Sequence, residues 1–178
     1  MELIETSISG CYELQPVICK DNRGSFVKTF HTDIFDKYGL ATNFMEEYYS
    51  ISKKNVLRGL HFQIPPKQHT KLVYCISGEV LDVVVDLRKQ SDTYKQYQIF
   101  NISAEKTNMI YIPEGMAHGF FVLSDIATMM YKVTSVYSQE NDCGVLWNSA
   151  GIPWPNMKPI VSNRDNTFSP LDNFKSPF

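Results

Sequence analysis

The chain has 178 residues, a formal net charge of -2, 43% hydrophobic residues and 20% charged residues. This length suits one domain, which we assign to residues 1–178, and the composition excludes a disordered chain or a coiled coil. The small net charge predicts no general attraction to nucleic acid or to an anionic membrane, so any anion site must be local.

The first residues predict no targeting segment. They include acidic side chains and lack the basic start and apolar run of a signal peptide, and no segment reaches the length of a membrane span. The four cysteines are scattered without a CxxC pair, which argues against structural zinc. These features predict a cytoplasmic protein with reduced thiols.

Short segments rich in Val, Ile, Tyr and Phe follow one another along the chain, separated by Gly, Pro, Asn and Asp. Several alternate apolar and polar residues with period two, as half-buried strands do. The expected strands lie within residues 25–31, 46–52, 56–62, 70–77, 79–88, 94–103, 108–113, 118–124 and 128–138. Many short strands of this kind predict an all-β sandwich or barrel.

Helix signals are few. In HTDIFDKYGL, Thr32 is a candidate N-cap, Asp33 lies in the first turn and Gly39 is a stop signal, so the segment predicts one short helix. The proline-rich tail after Trp147 cannot continue as a regular strand or helix. We expect it to cover the barrel in turns and short helical pieces.

Cationic and imidazole side chains interrupt the strand pattern within residues 56–88. Because side chains alternate along a strand, Lys71 shares a face with Val73, and His61 shares a face with Gln63. Burying a charge is costly unless a partner or a ligand compensates it. These side chains therefore either point into solvent or line a cavity that holds an anion.

Each chemically interesting residue also has an ordinary structural explanation. A lone histidine such as His61, or His118 after the PEG turn, is more often a hydrogen-bonded structural residue. Tyr131 and Tyr137 would share a strand face, where aromatic side chains are usually core, although a hydroxyl in a polar cavity is a ready proton donor. Asp165 in the tail is by default an exposed turn former.

Six longer segments occur in a defined order: DNRGSFVKTF (21–30), VLRGLHFQIPP (56–66), KLVYCISGEVLDVVVDLRKQSDTY (71–94), IPEGMAHGFFVLSD (112–125), YKVTSVYS (131–138) and WNSAGIPWP (147–155). Together they resemble the dTDP-4-dehydrorhamnose 3,5-epimerase family over nearly the whole chain. The resemblance implies an all-β, cupin-like jelly-roll barrel with a few short peripheral helices. It also implies a homodimer with strand exchange, and inversion of C3 and C5 in a nucleoside-diphosphate 4-keto-6-deoxy sugar without metal or redox cofactor, for bacterial surface polysaccharides.

The resemblance further implies residue roles. His61 matches the base that removes the proton beside the ketone, and Asp165 matches the carboxylate that orients this base. Lys71 matches the cation beside the C4 oxygen, and Tyr131 matches the acid on the opposite face of the sugar. The implied substrate-binding residues are Arg23, Phe26, Lys28, Glu46, Tyr48, Ser50, Arg58, His69, His118, Tyr137 and Arg164.

The chemistry of epimerisation requires these residue types. A proton beside a ketone is removed only when the developing enolate oxygen is stabilised, and loss of one such donor costs ~2.7–4 kcal/mol in other enzymes. Inversion needs a base and an acid on opposite faces, which a histidine and a tyrosine supply near neutral pH. Planar guanidinium groups such as those of Arg23 and Arg58 bind the oxygens of a pyrophosphate in pairs.

Four positions depart from the family pattern. Glu46 and Tyr48 stand where Gln and Asn are usual, Lys28 stands where an acidic residue is common, and His69 replaces a Gln two residues before Lys71. Because they lie two residues apart on a strand, His69 and Lys71 are expected to face the same cavity. A carboxylate can accept the two N–H groups of guanine, whereas thymine offers one. We therefore interpret Glu46 as favouring a GDP-linked sugar, either a hexose or a heptose as in the heptose branch of the family.

Three alternatives remain open on the sequence. An epimerase of the same substrates that inverts only C3 would keep the same residues. A metal-dependent cupin isomerase or oxygenase would use His61, His69 and His118 with a carboxylate such as Glu79, although the usual HxH pair is missing. A non-catalytic sugar-binding module would retain the cavity without the chemistry.

Overall fold

Thirteen short strands make up most of the regular structure of the computed structural model, which describes residues 1–178. The strands are β1 (Glu2–Glu5), β2 (Tyr12–Gln15), β3 (Val17–Asp21), β4 (Gly24–Lys28), β5 (Glu46–Lys53), β6 (Leu57–Gln63), β7 (Lys71–Ser77), β8 (Glu79–Asp86), β9 (Tyr97–Ser103), β10 (Met109–Ile112), β11 (Met116–Val122), β12 (Ile126–Val133) and β13 (Asp142–Gly144). The helical pieces are α1 (Thr32–Lys37) and a 3-10 turn at Leu171–Asn173.

Two antiparallel sheets form the barrel. One has the strand order β1-β2-β10-β7-β12-β5, and the other has the order β13-β6-β11-β8-β9. The β3-β4 hairpin pairs only with itself. This arrangement of strands confirms the predicted all-β jelly-roll barrel with little helix.

Apolar side chains fill three layers. Inward-facing residues such as Val73, Val84 and Met129 form the central cluster between the two sheets. The tail packs Trp147 and Trp154 on the outer face of the five-stranded sheet. On the outer face of the six-stranded sheet, residues of α1 and the following loop form a third cluster. Both sheets are therefore covered on two sides over much of their area.

Coverage on both sides buries both faces of β8. Alternation suggests one core face and one polar face, yet Asp82 and Asp86 are both 0% exposed, like Val83 and Val85. Asp86 is satisfied locally by the guanidinium of Arg88 and two hydroxyl groups. Asp82 faces the barrel interior and pairs with a histidine.

Several element boundaries differ from the predictions. The first predicted strand ends at Lys28, and the last ends at Val133, so Tyr137 lies in the loop that follows β12. The predicted helix forms and Gly39 follows it with φ +67, but the N-cap is His31 and Thr32 is already helical. β1, β2, β3 and β13 were not predicted, because short strands with exposed residues carry little periodicity.

Close packing of two strands places the histidines of the interior. A Cβ on Gly59 would lie 2.6 Å from the Gly119 Cα, and a Cβ on Gly119 would lie 2.8 Å from the Arg58 carbonyl oxygen. Only glycine permits this approach of β6 and β11. As a result, His61 and His118 are direct neighbours in the ladder between these strands.

Apolar side chains are exposed on β5 and on the β3-β4 hairpin. Tyr49 is 64% exposed, Ile51 is 60% exposed and Phe26 is 63% exposed. β5 is also an edge strand whose outer hydrogen-bonding groups face no other strand of this chain. The helices are too short to span a membrane.

Candidate active site

A cavity of about 360 Å³ opens between the two sheets. Its size lies within the range of about 300–1,000 Å³ that is usual for small-molecule sites. The walls come from both sheets and from the loops beside them. The lining residues are Glu46, Tyr48, Ser50, Arg58, His61, Phe62, Gln63, His69, Lys71, His118, Phe120, Tyr131, Val133, Ser135, Tyr137, Asp142 and Arg164.

His61 is paired with a carboxylate from the tail. Its Nε2 lies 2.8 Å from Oδ1 of Asp165, while the backbone N–H of Gly59 donates to Oδ2 at 3.1 Å. Burial alone would raise the pKa of Asp165, but the hydrogen bonds outweigh burial and lower this pKa. An ionised Asp165 requires a proton on His61 Nε2, which leaves Nδ1 of the neutral ring free to accept a proton.

Lys71 places a buried cation in the same cavity. It is 6% exposed, and its Nζ donates to the carbonyl oxygen of His61 at 3.1 Å. Burial lowers the Lys71 pKa to about 8, against the opposing attraction of Asp142 and Asp82. The ammonium group is thus mostly charged at neutral pH and is close to losing its proton.

Tyr131 forms part of the wall opposite His61, because it belongs to the other sheet. Its ring stacks on Tyr48 with centroids 4.8 Å apart and planes 15° apart. Burial raises the pKa of the Tyr131 hydroxyl well above its ordinary value, and that of Tyr48 to about 12. Both phenols therefore carry their protons throughout the neutral range, and Tyr48 holds the Tyr131 ring in place.

A second histidine–carboxylate pair lies deeper. His118 Nε2 lies 2.8 Å from Oδ2 of Asp82, and the two residues are 4% and 0% exposed. Burial lowers the pKa of His118 and raises that of Asp82. The ring of His118 meets Tyr131 edge-on with centroids 6.1 Å apart, so this pair supports the aromatic wall.

Charged residues surround the outer part of the cavity. Arg164 pairs with Asp142 at 2.7 Å, and Arg58 donates from Nε to the Ser52 hydroxyl at 2.9 Å. Glu46 accepts the backbone N–H of Tyr137 at 2.7 Å through one carboxylate oxygen. The remaining donors of the two guanidinium groups can bind an anion, and the second oxygen of Glu46 can accept a further N–H.

His69 lies between the strands and not in one, since β7 begins at Lys71. The expectation that residues 69 and 71 alternate along a strand was therefore wrong, although both side chains line the cavity. The Nδ1 atom of His69 lies 3.2 Å from Nε2 of Gln63, while the Nε2 atom of His69 is buried without a hydrogen-bond partner. Leaving such a group unpaired costs about 1–3 kcal/mol.

A model of the dTDP-4-dehydrorhamnose 3,5-epimerase family matches residues 5–173. The chain belongs to this family of sugar-nucleotide epimerases. The resemblance in the six sequence segments is thereby confirmed, and so is the assignment of the chain to an isomerase family.

Known relatives of this epimerase agree in sequence and in fold. The dTDP-4-dehydrorhamnose 3,5-epimerase of Shigella flexneri is 42% identical over 168 residues, which cover 93% of each chain. The structure of the Bacillus anthracis dTDP-4-dehydrorhamnose 3,5-epimerase, with TDP and PPi bound, has a TM-score of 0.91 at 38% identity, covering 94% of this chain and 97% of that one. The Legionella pneumophila dTDP-6-deoxy-D-glucose-3,5-epimerase, in complex with dTDP-4-keto-L-rhamnose, has a TM-score of 0.93 at 34% identity, covering 98% and 94%.

The cavity of this epimerase brings together most of the residues expected to function. Three of the four expected catalytic residues line it, and Asp165 reaches it through His61. Eight of the expected binding residues line it as well: Glu46, Tyr48, Ser50, Arg58, His69, His118, Tyr137 and Arg164. Their contact with a substrate remains a prediction.

Three expected binding residues lie outside the cavity of their own chain. Arg23 and Phe26 belong to the β3-β4 hairpin and border a separate surface depression. The Arg23 guanidinium is 86% exposed and pairs with Asp21 at 2.6 Å. Lys28 is exposed at the end of β4. These residues can join an active site only if the hairpin reaches another chain.

Two carboxylates and one amide of the site were not predicted from the sequence. Asp82 and Asp142 act electrostatically on Lys71, and Gln63 orients His69. The alternation in β8 places Asp82 on the polar face of the strand, and this position could have identified it as a candidate site residue. Asp142 gave no such signal, because it lies far from Lys71 in the chain. Gln63 gave none either, because its orientation depends on backbone groups of the distant residues Val136 and Ser138.

The geometry does not favour the metal-dependent alternative. His61 and His118 are each engaged by a carboxylate, and Glu79 borders a different surface depression with Ser103 and Lys106. No group of three His, Cys, Asp or Glu side chains is arranged to hold a metal ion.

Proposed function

We propose that this epimerase inverts C3 and C5 of a nucleoside-diphosphate 4-keto-6-deoxy sugar through enolate intermediates, with no metal or redox cofactor. One observation carries the proposal: a histidine–aspartate pair, a buried lysine and a buried tyrosine converge on one cavity from two facing sheets. Family membership supports the reaction class.

Proton removal is assigned to His61. With Nε2 committed to Asp165, the lone pair of Nδ1 is available to accept the proton beside the ketone. The carboxylate stabilises the imidazolium that forms, because opposite charges 2.8 Å apart attract strongly in a buried site. Asp165 thus orients the ring and faces the charge that the ring acquires.

Enolate stabilisation is assigned to Lys71. The electrons of the broken C–H bond move onto the ketone oxygen, and a preorganised ammonium group beside this oxygen lowers the barrier. Lys71 is held by the carbonyl oxygen of His61, the residue that removes the proton. This hydrogen bond places the cation beside the backbone of the base.

Reprotonation is assigned to Tyr131. Its hydroxyl carries a proton in the neutral range and lies on the sheet opposite to His61. Delivery of a proton from this side inverts the carbon, whereas return from His61 restores it. His61 must then release its proton to solvent, and the Tyr131 phenolate must regain a proton from solvent, through the open side of the cavity.

Substrate anchoring is assigned to the outer part of the cavity. Arg58 and Arg164 present guanidinium donors that suit a pyrophosphate.

We also propose a homodimer in which the β3-β4 hairpin extends a neighbouring chain at its free β5 edge. Exposed Phe26, Tyr49 and Ile51 support this arrangement, since unpaired edges and apolar patches mark contact surfaces.

Strand exchange would explain why Arg23, Phe26 and Lys28 lie away from their own cavity. β5 carries Glu46 and Tyr48, so a hairpin added at its edge lies beside the cavity of the neighbouring chain. Arg23 would then add a third guanidinium to the pyrophosphate site.

For the nucleotide we propose GDP, joined to a 4-keto-6-deoxy hexose or heptose. Glu46 has one carboxylate oxygen that is not used by Tyr137, and Oε2 retains a second lone pair. These acceptors suit the two N–H groups of guanine. We place the reaction in the cytoplasm, where the four unpaired cysteines stay reduced, and in the synthesis of bacterial surface polysaccharide.

Proton NMR in D2O with GDP-linked and dTDP-linked 4-keto-6-deoxy sugars tests the proposal. Loss of the C3 and C5 proton signals, unchanged by prior treatment with a metal chelator, is the expected result. Exchange at C3 alone would refute inversion at C5 and show an epimerase that acts only on C3. Exchange with neither nucleotide would refute the proposed function, and a preference for dTDP would refute the role of Glu46.

A Glu46→Gln variant makes the nucleotide test sharper. It keeps the size of the side chain and one acceptor oxygen but removes the second acceptor. The ratio of kcat/KM for the GDP sugar to that for the dTDP sugar should fall about tenfold or more, since a mismatched donor pair in a binding site costs at least this factor. An unchanged ratio would remove Glu46 from base recognition.

A further inference from the structure

Gln63 has an orientation that the surrounding backbone determines. Its Oε1 accepts the N–H of Ser138 at 2.7 Å, and its Nε2 donates to the carbonyl oxygen of Lys67 at 2.7 Å. A second carbonyl oxygen, that of Val136, lies 3.3 Å from Nε2. If the amide were flipped, its N–H groups would point at the N–H of Ser138, and its oxygen would point at the carbonyl oxygens of Lys67 and Val136. The observed orientation is therefore the favourable one, and it places Nε2 next to His69.

This orientation determines the tautomer of His69. The amide Nε2 has two hydrogens and no available lone pair; Lys67 takes one hydrogen, and the other is shared between Val136 and Nδ1 of His69, 3.2 Å away. Nδ1 therefore accepts and carries no proton of its own. The proton of the neutral ring therefore resides on Nε2. Protonation of both ring nitrogens would place the Nδ1–H group of His69 against an N–H group of Gln63.

Burial, with help from nearby charge, keeps the ring of His69 neutral. Burial lowers the His69 pKa to about 3, and the cation of Lys71 contributes further. His118 also faces it, and no carboxylate opposes these effects. His69 is therefore unsuited to acid–base chemistry at neutral pH, and its one free function is the buried Nε2–H donor, which has no partner in the chain.

We propose that the Nε2–H group of His69 donates a hydrogen bond to an oxygen of the bound sugar, and that this contact helps to decide which 4-keto sugar is accepted. The inference rests on the proposed function and deepens it. His69 is a binding residue here and takes no part in proton transfer.

A sugar oxygen fits this position better than a phosphate oxygen. His69 is two residues from Lys71, which is assigned to the ketone oxygen, whereas the guanidinium groups of Arg58 and Arg164 provide the charge that a phosphate needs. A donor that is fixed and desolvated accepts a substrate with an oxygen at that point and rejects an analogue without one, because the donor would then stay unpaired.

Steady-state kinetics of His69→Leu and His69→Gln test the contact. His69→Leu removes the donor and should lower kcat/KM about 10- to 100-fold, mainly through KM, the range expected for one desolvated hydrogen bond. His69→Gln keeps an N–H donor and should recover most of the loss. His31→Gln, at the start of α1 and away from the cavity, is the matched histidine control and should behave like the parent enzyme.

A panel of monodeoxy sugar nucleotides identifies the oxygen. Removing the hydroxyl that His69 contacts should lower kcat/KM of the parent enzyme at least tenfold more than that of His69→Leu. Such coupling in a double-mutant cycle indicates a direct contact. Equal discrimination by both proteins, or an unchanged KM in a folded His69→Leu, would overturn the proposal.

The tautomer is measured independently on the unmutated protein. Two-bond ¹H–¹⁵N spectra with labelled histidine should show His69 protonated on Nε2 alone from pH 5 to 9, and a ring protonated on Nδ1 would also overturn the proposal. If no sugar nucleotide undergoes exchange, the proposed function and the His69 contact fail together. If the parent enzyme is active and His69→Leu has unchanged kinetics, only the His69 contact is refuted.

Discussion

The imidazole of His61 and the carboxylate of Asp165 lie 2.8 Å apart although 104 residues separate them in the chain. Asp165 uses its second oxygen to accept the backbone N–H of Gly59, so the irregular tail is attached to β6 at two points. This relationship connects the proline-rich tail directly to the proposed base.

Asp165→Asn should lower kcat strongly with little change in KM. The amide would place an N–H group against Nε2 of His61 and so favour the wrong tautomer, and comparable changes in other enzymes cost on the order of 10²–10⁴ in kcat. The measurement is steady-state epimerisation with the preferred sugar nucleotide. A kcat within threefold of the parent enzyme would exclude this role for Asp165.

The alkaline side of the pH profile should report Lys71. Its pKa is lowered to about 8, mainly by burial, so the ammonium group loses its proton as the pH rises above that value. If the charged form stabilises the enolate, kcat/KM falls with an apparent pKa near 8. Lys71→Arg, which stays charged, should move this fall to higher pH, whereas an activity that rises above pH 8 would contradict the assignment.

Tyr131→Phe should separate proton removal from inversion. The variant keeps the stacked ring beside Tyr48 but lacks the hydroxyl that delivers a proton. In D2O, wash-out of the substrate proton should continue while formation of the epimer falls at least tenfold, as expected for loss of a general acid. Tyr48→Phe is the control that keeps the stack and the acid. Unchanged inversion in Tyr131→Phe would remove this residue from the mechanism.

Mixing two inactive variants tests strand exchange. Arg23→Ala impairs the donated hairpin and His61→Asn impairs the receiving cavity. In mixed dimers with exchange, one of the two sites has both defects and the other has neither. About a quarter of the parent activity should therefore return when the variants are unfolded and refolded together, since half of the dimers are mixed. If each chain completed its own site, mixing would restore nothing.

Gly119→Ala should destabilise the protein through crowding alone. Its Cβ would lie 2.8 Å from the Arg58 carbonyl oxygen and 2.9 Å from Leu60, which forces β6 and β11 apart. We expect a loss of about 3 kcal/mol in the free energy of unfolding, measured with urea, at the upper end of overpacking effects. Gly39→Ala, at a positive φ with nothing near its Cβ, should cost about 1 kcal/mol. Equal costs would show that β6 and β11 relax easily.

Strand periodicity anticipated much of the site. Alternation placed Lys71 with Val73 and His61 with Gln63, and all four side chains do face the barrel interior or its cavity. The same reasoning failed for Tyr137 and His69, which lie outside the strands. Both still line the cavity, because loops at the end of a barrel converge on the same space.

Local sequence determined the longer strands, the short helix and the family motifs of this protein, since each depends on residues that are close together in the chain. Only the tertiary structure decided that Asp165 meets His61, that Asp82 and Asp142 act on Lys71, that Gln63 sets the tautomer of His69, and that Arg23 lies away from its own cavity. Most of these relationships join residues far apart in the chain, and the orientation of Gln63 itself depends on the distant Val136 and Ser138. They also depend on which groups lose water, and neither property is encoded in local periodicity.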